Sequence, residues 1–275
     1  MKNTKRKFDY IHLPQGTLLK NSYKIIKRIS DRSNMSIVYL ARNQNKRKVV
    51  IKEFFPKNLV LRDLDGKNVV YKSSLLKDKF NREKKLFLNE IKIMKKFSKN
   101  KYIANCYEAF SDNNTVYLVM KYYKGSNLEY YLQNNNIEYD TFYQKIFFPL
   151  LDIVYHIHKK GYIHRDLKPS NIIIYKDKPL LIDFGSTVNY KNKKNYKILM
   201  TPGYSPIEFY SAKSKQGPYS DIYSLAAILY YYLTDEVPLE ARERIIKDDL
   251  KTVKQLNNEV SLSLNNLIMR NLSLK

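Results

Sequence analysis

Apolar and polar positions follow two different periods along the chain. Over residues 23–38, 48–55 and 116–123 they form short runs rich in Ile, Val, Tyr and Phe, which predicts strands. Asp65-Gly66 separates residues 59–64 from 69–71 and predicts a hairpin. Ser73 and Ser74 are cap candidates for a helix over 75–97, with Leu76, Phe80, Phe87, Ile91 and Met94 on one stripe. Glu90 falls on that same stripe. A carboxylate facing inward is costly unless a cation meets it, so the helix predicts a lysine or arginine from another element. After Gly125 the pattern turns helical. A helix is predicted from Asp140 or Thr141 towards Lys160, with Pro149 either kinking it or marking its true start. Residues 171–175 and 179–183 read as two short strands around a Lys-Asp-Lys turn, and Ser220 as the cap of an apolar helix over 221–234. The result is an α+β chain, strand-rich first and helix-rich after a change near 121–124.

Composition narrows this picture. The chain has 275 residues, 44% hydrophobic, enough for a large core in one domain or two joined lobes. Cys106 is the single cysteine, which excludes an intrachain disulfide framework and a cysteine-rich zinc site. It reads as a packing residue in a strand, and one thiol suits a reducing cytosol. The basic residues 1–7 lead into Phe8-Asp9-Tyr10 and not into an apolar run, so no secretory signal is expected. The uncharged stretch 222–234 is shorter than the roughly 20 residues of a membrane span and reads as a buried helix. Lys+Arg 50 against Asp+Glu 26 gives a net charge of +24, which suggests nucleic acid or an acidic surface as partner. Yet the lysines are spread along the chain, Lys, Asn, Ile and Tyr are abundant everywhere, and Trp is absent. That is the mark of a compositional bias, and no nucleic-acid partner is expected. His156 and His158 stand two apart on a helix and do not share a face, so they are poor joint metal ligands. Tyr230, Tyr231 and Tyr232 read as helix packing.

The chemistry-bearing signal is His164-Arg165-Asp166-Leu167-Lys168-Pro169-Ser170-Asn171. It matches the protein-kinase catalytic loop H-R-D-L-x-x-x-N. Twelve residues after Asn171 comes Asp183-Phe184-Gly185, and Val50-Ile51-Lys52 fits a strand ending in the nucleotide lysine. Phosphoryl transfer needs phosphate, metal and hydroxyl held in line with their charge neutralised. In that scheme Asp166 orients the substrate hydroxyl or takes its proton, and Lys168 reaches the transferring phosphate. Asn171 and Asp183 supply oxygen ligands to Mg²⁺. Lys52 pairs the α/β-phosphates of ATP and answers the cation that Glu90 requires. Gly185 lets the chain turn after the metal ligand.

The chain resembles the bacterial serine/threonine protein kinases of the eukaryotic-like type over nearly its whole length. Leu13-Pro14-Gln15-Gly16-Thr17 with Tyr23 resembles their lead-in. Ile51-Lys52-Glu53-Phe54-Phe55-Pro56 resembles a subgroup with a hairpin inserted after the lysine strand. Residues 201–208, Gln216-Gly217-Pro218 and residues 220–225 follow in family order. The resemblance implies a bilobal protein-kinase fold: a lead-in over 1–22, then a kinase domain over 23–275. Its small β-rich lobe covers about 23–120, the hinge 121–123, and the helical lobe about 124–275, with ATP in the cleft between lobes. Met120 would be the gatekeeper, the backbone of Lys121 and Tyr123 would meet adenine, and Asn127 the ribose. Lys168 with Thr201 is the serine/threonine pattern, so the implied partners are ATP, a protein substrate that could be acidic, and the chain itself by autophosphorylation. His158 resembles a structural position of the family.

Two departures stand out. The family's G-x-G-x-x-G-x-V is here residues 30–38, with no glycine between Gly16 and Gly66. Aligned on Val38, the glycine sites hold Asp31, Ser33 and Ser36. Serine is small enough to substitute, whereas an aspartate near a triphosphate would repel it. A non-catalytic pseudokinase that serves as an interaction module is therefore the alternative reading. The chain also stops at Lys275, before the arginine that pairs with the glutamate matched by Glu208, so Arg242 or Arg270 is expected to replace it unless the chain is naturally short. Arg165 is placed to meet a phosphate on Thr187, Tyr190 or Tyr196, or else braces its loop while Lys191, Lys193, Lys194 and Lys197 hold the segment.

Overall fold

The structure is a computed structural model that describes residues 11–31, 33–192 and 196–274. The basic residues 1–7, Arg32, Lys193 and Lys194 lie outside the described residues. The chain divides into two compact units, residues 1–98 with 104–122, and residues 99–103 with 123–275. The expected change near 121–124 therefore falls between Tyr122 and Tyr123.

The first unit is built on an antiparallel sheet in the order β1-β2-β3-β4-β8-β7. Its strands are β1 Leu18–Leu19, β2 Tyr23–Ser30, β3 Ser36–Asn43, β4 Lys48–Phe54, and, further along the chain, β7 Cys106–Asp112 and β8 Thr115–Lys121. Leu18 and Leu19 pair with Lys24 and Tyr23, and Leu13 and Thr17 are buried, so part of the stretch read as a lead-in is built into this sheet. Two register shifts in β2, at Ile25/Lys27 and Arg28/Ser30, bend the strand as bulges do. Between β4 and β7 come the hairpin β5 Val60–Arg62 and β6 Val69–Tyr71, then α1 Lys77–Phe97. Asp65 closes the hairpin turn by accepting the N–H groups of Lys67 (2.7 Å) and Asn68 (2.8 Å). Ser73 is the cap, but it caps a 3₁₀ turn over Ser74–Leu76, so α1 begins two residues later than predicted. Phe80, Phe87, Ile91, Met94 and Glu90 form the buried stripe, and Phe54 of β4 meets Phe80 and Phe87 at 5.1 and 5.5 Å between ring centroids.

In the second unit, residues 99–103 join by main chain: Leu181 donates to the Tyr102 carbonyl (2.9 Å) and bridges Ile103. β9 Ser126–Asn127 pairs with β11 Ile172–Tyr175, which pairs with β12 Lys178–Leu181. Gly125 is required here, since a Cβ would stand 2.0 Å from the Ile174 carbonyl oxygen. α2 Leu128–Asn134 is followed by α3 Tyr139–Phe142, a π-helical turn Tyr143–Phe147, and α4 Phe148–Lys159. The predicted helix thus starts at Tyr139, and Pro149 marks where α geometry resumes, in the first turn of α4, where its missing N–H costs little. β10 Tyr162–Ile163 pairs with β13 Val188–Asn189. The β11–β12 turn is Lys176-Asp177, both at positive φ, because Lys178 already pairs with Tyr175. α5 runs Pro218–Thr234, not from Asp221: Gly217 is its cap, and Ser220, in the first turn, accepts the Gly217 N–H (3.3 Å). α5 is buried nearly all round, as its apolar run predicts. The Tyr232 ring stacks on Phe142 at 3.5 Å, so the tyrosine run packs the core. α6 Ala241–Ile246, α7 Val253–Leu256 and α8 Leu262–Asn271 complete the unit.

Candidate active site

In the first unit the cation demanded by Glu90 is Lys52. Its Nζ lies 2.6 Å from Glu90 Oε1, with the side chains 11% and 6% exposed, and 5.9 Å from the Phe87 ring centroid. β4 presents Lys52 between Val38 of β3 and Leu118 of β8, which fixes where its side chain leaves the sheet. Glu53, the next residue, is completely buried with Arg62 and was not singled out in the sequence. A second charged residue directly after Lys52, in a strand otherwise apolar from Val49 to Phe54, was the available signal.

The described residues of the glycine-free loop are held by side-chain contacts. Asp31 Oδ2 lies 2.9 Å from Arg28 Nη1 and 3.0 Å from His12 Nε2, and Lys57 Nζ donates to the Asp31 carbonyl. The His12 hydrogen bond, aided by the charges of Arg28 and Lys57, holds the Asp31 carboxyl below the usual carboxylate range. Ser33 is exposed and its Oγ accepts the Met35 N–H at 3.1 Å. Ser36 is buried inside β3, opposite Phe54. Of the three residues at glycine sites, only Asp31 and Ser33 therefore lie in the loop. Lys121 ends β8, and its N–H bonds the Asn105 carbonyl (2.9 Å). Met120 is buried one residue earlier.

In the second unit, the catalytic-loop residues converge. Asp166 Oδ1 accepts the Thr201 hydroxyl (2.9 Å) and lies 2.9 Å from Lys168 Nζ; that ammonium also donates to Thr201 Oγ1 (3.0 Å). Asn171 Nδ2 donates to Asp166 Oδ2 (2.8 Å) and to its carbonyl (2.9 Å). These bonds engage the Asn171 nitrogen, and its amide oxygen is the hard ligand end. The β11–β12 hairpin pairs Ile172 with Leu181, and Ile182 donates to the Asn171 carbonyl (3.1 Å), so Asn171 and Asp183 lie at the same end. Two side-chain oxygens of this kind suit Mg²⁺, which draws its other ligands from phosphate and water. Asp183 Oδ1 accepts the Gly185 N–H (2.9 Å); this bond makes the turn, and Gly185 is not among the positive-φ glycines. Tyr123 packs its ring on Tyr175, and Asn127 spends its side-chain oxygen capping α2 through the Tyr130 N–H (2.8 Å).

The loop is fixed from behind by Asp221. Its carboxylate accepts the N–H groups of His164 (2.8 Å) and Arg165 (2.9 Å) and meets His158 Nε2 at 2.7 Å. Complete burial pushes the His164 pKa down, and the ring packs edge-on to Phe184. Asp221 had a sequence signal, a lone carboxylate opening an apolar helix, that passed unremarked.

A sequence profile of the "Protein kinase domain" family matches residues 57–273. The chain belongs to that family. Among curated proteins it is 30% identical over 236 residues to "Serine/threonine-protein kinase PknA" of Nostoc sp., covering 81% of this chain and 39% of that protein. It is 30% identical over 202 residues to "Serine/threonine-protein kinase cds1" of Schizosaccharomyces pombe, covering 68% and 44%. The chain thus spans less than half the length of these relatives. Among solved structures it resembles "PpkA-294 apo form", with a TM-score of 0.82, 27% identity, and coverage of 96% and 94%.

One kinase-derived expectation is corrected. Glu208 is not met by Arg242 or Arg270 among the described residues; it accepts the Ser220 hydroxyl at 2.6 Å, and Gln216 donates to its carbonyl. The buried arginine nearby is Arg244, on Asp248 (2.8 Å) and the Leu272 carbonyl (2.8 Å). Arg165 is already engaged: its guanidinium donates to the Lys197 carbonyl (2.7 Å) and stacks 5.2 Å from the rings of Tyr196 and Phe209. Thr187 and Tyr196 are buried, and Tyr190 is half-buried. This geometry favours the bracing role for Arg165.

Proposed function

We propose that the chain is an ATP- and Mg²⁺-dependent kinase of serine and threonine hydroxyls on proteins. The observation that carries this is the clamp on Asp166 by Thr201, Lys168 and Asn171, which aims a carboxylate with every partner a hydroxyl acceptor would need. Asp166 orients the incoming hydroxyl and takes its proton as the oxygen–phosphorus bond forms and the bond to ADP breaks. Lys168 steadies the transferring phosphoryl group, and Lys52, set by Glu90, pairs the α/β-phosphates. Mg²⁺, held by Asn171 and Asp183, would neutralise phosphate charge. Lys121 and Tyr123 offer main-chain groups to adenine, and Ser33 and Val38 border the phosphates. The net charge of +24 supports an acidic protein as substrate, and the chain's own hydroxyls are a second one. The single cysteine supports a cytoplasmic setting and the Nostoc relative a bacterial one; no helix among the described residues is long and apolar enough to cross a membrane.

The test is transfer of labelled phosphate from Mg²⁺-ATP to a generic acidic or basic protein and to the chain itself, beside Asp166→Asn. Transfer by the parent and loss in the variant are expected. A parent that binds ATP without transferring phosphate would make the chain a pseudokinase.

A further inference from the structure

The buried pair next to the nucleotide lysine is more than a core contact. Alternation along β4 sends Lys52 and Glu53 to opposite faces of the sheet. Both Glu53 oxygens are engaged. Oε1 takes Arg62 Nη1 (2.7 Å) and the Tyr117 hydroxyl (3.0 Å); Oε2 takes Arg62 Nη2 (2.8 Å) and the Tyr39 hydroxyl (3.0 Å). The same guanidinium donates to the carbonyls of Lys67 (2.8 Å) and Ile11 (2.9 Å) and lies 4.6 Å from the Phe55 ring centroid. Burial, then the Glu53 charge, pushes the Tyr39 phenol up, so it stays neutral and donates. One ion pair therefore ties β3, β4, β8, the segment before β1, and both ends of the β5–β6 loop.

The far strand of that hairpin touches α1. Tyr71 of β6 meets Phe80 edge-on at 5.2 Å, and Phe80 meets Phe54, the residue after Glu53. Three turns along α1 stands Glu90, on Lys52. The hairpin is thus fixed to the sheet at Arg62 and leans on the helix at Tyr71.

We infer that the Glu53–Arg62 pair and Tyr71 are positioning residues: the hairpin is a built-in strut that holds α1 where Glu90 engages Lys52. An inserted element of this chain then does the work of setting that ion pair. The inference rests on the kinase reading for its activity arm, but its structural arm does not.

Two variants test it. Tyr71→Ala removes the contact with α1 and leaves the ion pair intact; Tyr71 is 37% exposed, so folding should be preserved. Glu53→Met/Arg62→Met removes the whole pair without stranding a buried charge. The readouts are hydrogen exchange of nucleotide-free full-length protein, and kcat and KM for ATP. For Tyr71→Ala the strut predicts faster exchange in peptides covering 80–94 with β3 and β8 unchanged, and a kcat lowered roughly 3–30-fold at a thermal midpoint close to the parent's; the double variant, whose pair also holds Tyr39 and Tyr117, should deprotect 80–94 as well. Unchanged α1 protection overturns the inference. So does exchange rising evenly over the first unit, the signature of a merely structural role, and so does local deprotection with parental kcat. If the parent itself transfers no phosphate, the kinase reading fails, while exchange in α1 still decides the strut.

Discussion

Replacing Lys52 and Glu90 singly and together separates a pairing energy from the value of each side chain. The two charges approach to 2.6 Å with 11% and 6% of their side chains exposed, so solvent screens them little. At an effective dielectric near 20 that distance is worth about 6 kcal/mol of gross Coulomb energy, against which stands the desolvation of both ions. Removing one partner takes from the other buried charge its 2.6 Å counter-ion, at about 3–5 kcal/mol. Lys52→Met alone and Glu90→Leu alone should each lose that much. At roughly 2–4 °C per kcal/mol, a loss of 3 kcal/mol lowers the midpoint by about 6–12 °C. The double variant fills the same space with apolar atoms, against Phe87 and the buried stripe of α1, and should lose less than either single one. Urea unfolding of the four proteins, followed by far-ultraviolet circular dichroism, gives the cycle. Stability is the right readout, because all three variants should lose phosphoryl transfer through Lys52 or its positioning. A double loss equal to the two single losses added would refute a desolvated pair.

Three more outcomes are expected. Asp166→Asn should lower kcat by about 10²–10⁴-fold while ATP affinity by calorimetry holds, since the side chain aims the hydroxyl and not the nucleotide. Burial raises the phenols of Tyr23, Tyr143 and Tyr230 to about 12, so these rings hold their protons in the folded state above the pH at which the unfolded chain loses them. That stability is fully present below about pH 10 and is lost as pH rises towards 12; a single ionisation step near pH 10 in an ultraviolet titration of the native protein would contradict it. Ser33→Gly should tighten ATP binding by freeing the loop backbone, whereas Ser36→Gly should cost stability by about 0.5–1 kcal/mol, because Ser36 is a strand residue. Equal or tighter binding by the parent than by Ser33→Gly would show that the serine already serves the phosphates.

Local rules make much of this fold legible in the sequence. Glu90 announced a cation because one carboxylate sat among Phe87, Ile91 and Met94, and one helical period suffices to see it. The catalytic loop was legible because its residues are contiguous, and Thr201 because it fits a pattern. What escaped depends on segments far apart in the chain. Arg62 joins carbonyls of Ile11 and Lys67 to Glu53, and no periodicity links those positions. Residues 99–103 pass to the second unit through main-chain bonds to Leu181, which leave no side-chain signature. Ser220 has the composition of a cap, but Pro218 can open a helix only from its first turn, which moves the cap to Gly217. Arg242 and Arg270 do not meet Glu208, which takes the Ser220 hydroxyl, and the inward-turned arginine, Arg244, serves Asp248 and the Leu272 carbonyl.

The loop without glycine changes meaning once its contacts are known. The case against nucleotide binding rested on Asp31 as an unscreened negative charge near a triphosphate. Its carboxylate is shared by Arg28 and His12, and its carbonyl by Lys57. Two cations face one anion, so the local charge at this turn is positive and its electrostatics favour phosphate. What separates this loop from a glycine-rich one is then steric. Side chains at 31 and 33 limit how closely the main chain can approach a ligand, while Ser36 is already committed to pairing with Phe54. The same contacts fasten the loop to the segment before β1 and to the stretch after β4, both of which also bear on the Glu53–Arg62 pair through Ile11 and Phe55. A glycine-rich loop is mobile and closes on its ligand; here Asp31 is tied down in advance, so part of the ordering cost that glycines defer to the moment of binding is met during folding.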